Sequence, residues 1–507
     1  MSAFVEEKER RIVPRWRDSL TTVATGELAP LATLSPAREP ERDFLESKLA
    51  DWQWNRTIAF ATDLVGAAFV LGRAREATHA AEFILANPRL ASAPARHVAH
   101  RILGTSPANE EQDEQVEAKG PTQDSSRRMV RSLRLRLREE PRNPLMWVDL
   151  ARHYAILGLG DKSAQAMSMG VRLAPNSRFI IRSATRLHVH LGDPEHALHL
   201  LRRAEATKHD PWLVAAEIAV TSIVGRSPRS IKDARDILAR WSMAPSQTSE
   251  LASALATLEL AAGNNRKARK LFSEALIEPT DNSVAQAEWA SRRLSDFRVE
   301  TRHLEAPWSF EARTWDHFAA GQWSAALLEC ERWLSDEPFS SRPAMVGTFV
   351  SGVALEDYAS SIRLARLGLM ANSDDQTLLN NLASALASTG DVEEASKVYQ
   401  SMDPRRCDDG TYIAWLATGG LISFRRGFPE RGRQLYREAI DTAGAPEHGV
   451  RKAMAVTFLA REEAIASSPY ALSAFEMALR ECAGKDAPAL LAMRRLLDRL
   501  QDGGRKL

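Results

Sequence analysis

Gln376 to Pro404 reads QTLLNNLASALASTGDVEEASKVYQSMDP, two amphipathic helices joined by one tight turn. Leu379, Leu382 and Leu386 recur at the spacing that places side chains on one helix face. Thr389-Gly390-Asp391 ends that helix. Gly390 suits the left-handed residue just past a helix end, and Asp391 suits the cap of the next helix. Ala395, Tyr399 and Met402 form the stripe of the second helix, and small Ala383 and Ala395 stand where two helices can approach closely.

The same pattern recurs outward from this stretch. Asn143 opens a run in which Trp147, Leu150, Ala151 and Tyr154 match a first helix, and Ser163, Met167 and Gly170 a second. Ala184, Gly192, Ala197 and Leu201 mark the next unit, with Ser163 and Ala197 34 residues apart. Ala215, Ala219, Ala234 and Leu238 follow around an insertion at GRSPRS, then Leu255, Gly263, Ala268 and Phe272. Beyond Trp308, Gly321, Ala326 and Trp333 precede Gly347, Ser360 and Leu364, again with a 34-residue step from Ala326 to Ser360. Leu416, Gly420, Gly432, Tyr436 and Ala439 form a further unit after the quoted stretch.

This spacing resembles the tetratricopeptide repeat, a helix–turn–helix of about 34 residues with a large-x-x-Leu-small and Ala-x-x-x-aromatic pattern. The resemblance implies an all-α fold, a right-handed superhelix of antiparallel helix pairs in two arrays. It implies the general role of holding other proteins, as a non-catalytic scaffold and as a subunit of a larger bacterial assembly. The expected division is residues 1–104, an N-terminal helical region with one degenerate repeat; 105–126, an acidic mobile linker; 127–294, a first array; 295–307, a joint; 308–440, a second array; and 441–507, C-terminal capping helices, which a solenoid's last repeat needs.

In this family the first helix of each repeat lines the concave face. Carried over, the second array would present Trp308, Trp315, Phe318, Met345, Phe349, Asn380, Ser384, Leu421, Phe424 and Arg425 to a peptide or helix of a protein partner. So apolar a groove marks a partner site. The first array would present Arg152, Arg182 and Arg186, suited to gripping carboxylates. The family's clamp for chaperone tails needs Lys and Asn where Val148 and Arg152 stand, and only Asn381 matches an asparagine ladder, so neither is expected.

Composition narrows the alternatives. The chain has 507 residues, 44% hydrophobic and 26% charged, enough for several folding units. Lysine and arginine (67) balance aspartate and glutamate (66), so no global field draws nucleic acid or an anionic membrane, and nucleic acid is not the expected partner. Cys330, Cys407 and Cys482 are far apart and odd in number, which fits a reducing compartment. MSAFVEEKERR lacks an export core, and the most apolar run, Ile58 to Gly72, is too short to span a bilayer. A soluble, cytoplasmic protein is expected.

Other features bear on chemistry. Trp16 between Arg15 and Arg17 either docks on the body of the protein or meets a partner, and docking is preferred because isolated tryptophans are usually buried. Arg127, Arg128, Arg131, Arg134, Arg136 and Arg138 crowd one helix, as an anionic docking patch or a solvated face; with interleaved tryptophans it supports an alternative as a nucleic-acid-binding repeat protein. His188, His190, His196 and His199 could hold a metal, but no Cys accompanies them, and no metal is expected. Cys407 beside Arg405 and Arg406 reads as a free surface thiol. No phosphate loop, dinucleotide fingerprint, HExxH or G-x-S-x-G appears, so neither catalytic residues nor cofactors are expected. An enzyme with an unrecognised site is the remaining alternative.

Overall fold

The computed structural model describes residues 13–19, 39–70, 73–88, 90–91, 93–105, 123–139, 141–239, 244–485 and 487–504. Among these the fold is all-α, with no strand, and no described helix is long and apolar enough to cross a membrane.

The N-terminal block comprises α1 (Glu39–Trp54), α2 (Ile58–Val70), α3 (Thr78–Ala86) and α4 (Ala93–Leu103). Trp52, Leu64, Val65, Ala68, Ala81, Ile84 and Val98 share its core. α5 (Gln123–Glu139) adds Val130, Leu133 and Leu137 to it. This helix begins inside the segment expected to be a linker, and Ser126 is buried within it. Residues 106–122, the rest of that segment, lie outside the described residues.

Antiparallel pairs follow: α6 (Pro144–Ile156) with α7 (Gly160–Leu173), α8 (Arg178–His190) with α9 (Pro194–Arg203), α10 (Pro211–Ile223) with α11 (Ile231–Leu238), and α12 (Pro245–Ala261) with α13 (Asn265–Ala275). Local chemistry sets their ends. The side chains of Asn143 and Asp193 accept from the backbone N–H three residues on, capping α6 and α9. Gly158 and Gly192, 34 residues apart, close α6 and α8 with φ of 69° and 76°, a left-handed conformation that glycine adopts without steric cost.

α14 (Asp281–Ser291) is followed by the short α15 (Thr301–Leu304) rather than by a full partner helix. Residues 295–307, expected to be a joint, are packed: Leu294, Phe297 and Leu304 share one core with Phe272, Trp289 and Ala312. Pairing resumes with α16 (Phe310–Ala319) and α17 (Trp323–Asp336), α18 (Ser341–Phe349) and α19 (Tyr358–Ala371), α20 (Gln376–Thr389) and α21 (Val392–Gln400), and α22 (Asp409–Arg425) and α23 (Pro429–Thr442). The turn after α20 is the one the quoted stretch implies, with Gly390 at φ 92° and Asp391 capping α21.

Two contacts fold the coil onto itself. α24 (Gly449–Ile465), α25 (Ala471–Cys482) and α26 (Pro488–Gly504) do more than cap the last repeat. Met454, Phe458, Leu490, Met493 and Leu497 share a single core with Trp315, Phe318 and Phe349, and Arg499 pairs with Glu356 at 3.1 Å. At the other closure α6 meets the second array. Arg152 Nη2 donates to the Asp336 carbonyl at 3.0 Å, and a Cβ built on Gly158 would stand 2.8 Å from the Met370 carbonyl.

Candidate functional site

Most of the expected apolar lining is core. Trp315, Phe318, Phe349 and Leu421 are buried, with Phe318 5.6 Å from both Trp315 and Phe349 by ring centroids. Asn380 and Ser384 are buried as well, and Met345, Phe424 and Arg425 are half-buried. Arg425 is paired with Glu462 of α24 at 2.9 Å. The physical reason is the C-terminal fold-back, whose helices cover the face that an open second array would leave to a partner. Trp308 is the exception, at 36% exposed.

The three first-array arginines are buried, not presented to solvent. Arg182 makes a two-pronged contact with Glu250 at 2.9 and 3.0 Å. Arg186 lies 3.5 Å from Glu337 and over the Phe339 ring. Arg152 Nε donates to the Trp16 carbonyl at 3.2 Å. That last contact leads to the site.

Residues 13–19, Val-Pro-Arg-Trp-Arg-Asp-Ser, run without regular secondary structure up to Ser19 through the interior where α6, α8, α14, α16 and α17 converge. Arg15 is clasped by Glu337 (2.8 Å), Glu311 (2.5 Å) and Asp281 (3.4 Å). Arg17 reaches Asp281 (2.6 Å) and both carboxylate oxygens of Asp336 (2.7 Å each), with its guanidinium 5.3 Å from the Trp308 ring centre. Trp16 is wholly buried against Phe339, ring centroids 5.2 Å apart, and its indole N–H meets no acceptor among the described residues, so packing holds the ring. The backbone is held too: Asn282 Nδ2 donates to the Val13 carbonyl at 3.1 Å, and the Ser19 N–H and hydroxyl donate to Asp149 at 2.9 and 2.6 Å.

Charge explains the clasp. Burial works against the Arg15 charge, but Glu337, Glu311 and Asp281 outweigh it and hold the guanidinium more firmly protonated than usual. Burial likewise opposes the Glu337 charge, yet Arg15 and Arg186 bring its pKa down to about 2. Half-buried Asp149 is pushed up to about 7 by its loss of water and by neighbouring Asp18, despite the Ser19 hydrogen bonds. Glu311 and Glu337 also meet Arg342 and Arg186 from the walls, whereas Asp281 and Asp336 form their ion pairs with residues 13–19 alone, among the described residues.

The sequence singled out Trp16 and its flanking arginines, and the structure docks them on the body. It passed over Asp281, Glu311, Asp336 and Glu337, because helical repeats expose many carboxylates and no local spacing marks these four.

The remaining candidates stay apart from this interior. Every arginine of α5 is exposed. The His188 ring lies 4.2 Å from that of His196, tilted by 51°, and burial first, then His196, lowers the His188 pKa to about 4. Among the described residues no group of three or more His, Cys, Asp or Glu is arranged to hold a metal ion. The Cys407 thiol is pushed up by burial and by Asp408 and Asp403, while Arg406 turns to Asp374 at 2.6 Å, so the arginines do not activate it.

No protein-family model and no curated protein sequence matches the chain. Solved structures do. Yeast Tom70 is 13% identical, over 74% of this chain and 92% of that one, with a TM-score of 0.30. The Cut9–Hcn1 hetero-tetramer of the APC/C is 11% identical, over 93% and 98%, at 0.34. The human IFIT1 dimer with PPP-AAAA is 14% identical, over 91% and 100%, at 0.30. The helix pairs, their 34-residue steps and their glycine-closed turns make this chain a tetratricopeptide-like helical-repeat protein.

Proposed function

We propose that this chain is a non-catalytic adaptor that holds an extended segment of a protein partner in the interior between α6, α8, α14, α16 and α17, as a subunit of a larger assembly. One observation carries the reading: that interior already holds residues 13–19, six of them outside any helix, by both backbone and side chain. A surface that satisfies a peptide's carbonyls and anchors its arginines is built for peptide recognition. The apolar groove of the second array is no longer the favoured site, because the chain's own C-terminal helices cover it.

The test is a tagged pull-down with mass spectrometry, comparing the parent chain with Trp308→Ala and Glu311→Gln variants whose helical content and melting are checked first. A partner that is retained by the parent and weakened in both variants supports the interior site. A partner unaffected by either variant, or none at all, overturns it. Nucleic-acid binding is a second reading, drawn from the exposed arginine ridge of α5. An absence of DNA and RNA gel shift at low salt removes it.

A further inference from the structure

Resting on the adaptor reading above, we propose that the acid-lined interior recognises an extended Arg–aromatic–Arg segment in its protein partner, and that residues 13–19 are the chain's own occupant of that site. The partner's segment and the chain's own compete for it.

The argument runs from charge to geometry. Asp281 and Asp336 take their ion pairs from Arg15 and Arg17, so an emptied site strands two buried carboxylates beside Glu311 and Glu337. Stranded buried charges are strongly unfavourable, which bars water or an apolar segment from replacing residues 13–19. A replacement must bring two cations at the same spacing. Guanidinium is favoured over ammonium, because Arg17 forms a fork across both oxygens of Asp336 while also reaching Asp281. Between the cations the chain must fill the Phe339 pocket with a flat ring, and since the Trp16 N–H is unused, any aromatic residue suits. Asn282 and Arg152 donate to backbone carbonyls and are blind to sequence, whereas Asp149 accepts from both the N–H and the hydroxyl of Ser19. The site therefore reads Arg–aromatic–Arg, with a hydroxyl favoured two residues beyond the second arginine.

An in-chain occupant is present at an effective concentration on the order of millimolar, so it suppresses weaker competitors. The experiment uses a fluorescent peptide of residues 10–22 and two versions of the full chain. In the first, Arg15→Ala and Arg17→Ala weaken the chain's own segment. In the second, a site-specific protease sequence inserted after residue 30 is cut only after folding, so the occupant becomes exchangeable without risk to folding. We expect the peptide to bind the double variant at least about tenfold more tightly than the parent, and to exchange into the cut chain. Replacing both peptide arginines by lysine should weaken binding by about tenfold, and replacing the tryptophan by phenylalanine should change it little.

Failure of the peptide to bind a folded double variant, together with retention of the cut fragment until global unfolding, overturns the proposal and makes residues 13–19 plain core. Equal binding of the lysine peptide overturns the choice of arginine. If the pull-down partner is captured through the interior but does not compete with the peptide, the adaptor reading stands and the Arg–aromatic–Arg chemistry fails.

Discussion

Arg15 shows how much one side chain near the start of a chain can decide. Three carboxylates from α14, α16 and the end of α17 converge on it. Arg15→Ala removes the cation they share but leaves Glu337 to Arg186, Glu311 to Arg342 and Asp281 to Arg17, and a loss of about 1.5–3 kcal/mol is expected in denaturant unfolding. Lysine should restore only part of it, since one ammonium cannot match a planar fork. The acid response follows from the same neighbourhood. Glu337 titrates near 2 in the fold against 4.5 for a free side chain, so its contribution is present above about 4.5 and lost as pH falls towards 2. His153 and His190, lowered to about 4 by burial and by a neighbouring arginine, stay neutral in the fold where the unfolded chain protonates below 6.5. These two histidines are therefore expected to lower stability from pH 6.5 to 4 by up to about 1 kcal/mol per pH unit each, while Asp149, held up at about 7, opposes them in the same window. A His153→Gln/His190→Gln variant should hold its Tm better over that range, which thermal melts at stepped pH would check. At this scale the sequence exposed the Arg-Trp-Arg of residues 15–17 but not its acidic clasp. The four acids lie on three separated segments, and only packing brings them together.

Helices and their turns follow local rules, and there the sequence was most legible. Stripes, caps and turn glycines all act within a few residues of one another, so the quoted stretch folds as its pattern implies. The start of α5 was missed because Gln123 to Ser126 are polar, although Ser126 turns inward. Glycines within helices divide by what lies over them. A Cβ on Gly368 of α19 would meet the Ala344 Cβ at 2.6 Å and Leu378 Cδ1 at 2.7 Å. The Ala344 methyl is fixed to the backbone of α18, so the helices must separate. Gly368→Ala should lose about 1–3 kcal/mol through overpacking, more than the roughly 1 kcal/mol that alanine gains in helix propensity. Gly66 of α2 has nothing within 4 Å of such a carbon, and Gly66→Ala should gain up to about 1 kcal/mol. Opposite shifts in urea midpoint would confirm the pair.

The whole molecule is defined by its closures. α26 returns to α16, where Leu491 lies 3.2 Å from a Cβ built on Gly321, and the aromatic cluster of Trp315, Phe318 and Phe349 is sealed beneath the C-terminal helices. Trp315→Ala/Phe349→Ala should consequently behave as a core lesion, losing several kcal/mol, about 3–5 for each large aromatic removed, rather than as a clean loss of binding. A chain ending at residue 484 should bind the dye ANS and aggregate at concentrations where the parent does not, because the removal of α26 uncovers an apolar face. A truncated chain that melts like the parent without binding dye would show that α26 is dispensable to the core.

What the sequence determined by itself is the repeat: helices, their pairing, the 34-residue step and the all-α class, since each depends on neighbours within a turn or two of the chain. Which concave faces remain open was decided only by the tertiary structure. Long-range return of the C-terminal helices and of residues 13–19 fills the interior, and such contacts leave no local period. The physical reason is that burial and charge pairing depend on distance in space. Arg15 and Glu337 are 2.8 Å apart in the fold and 322 residues apart in the chain.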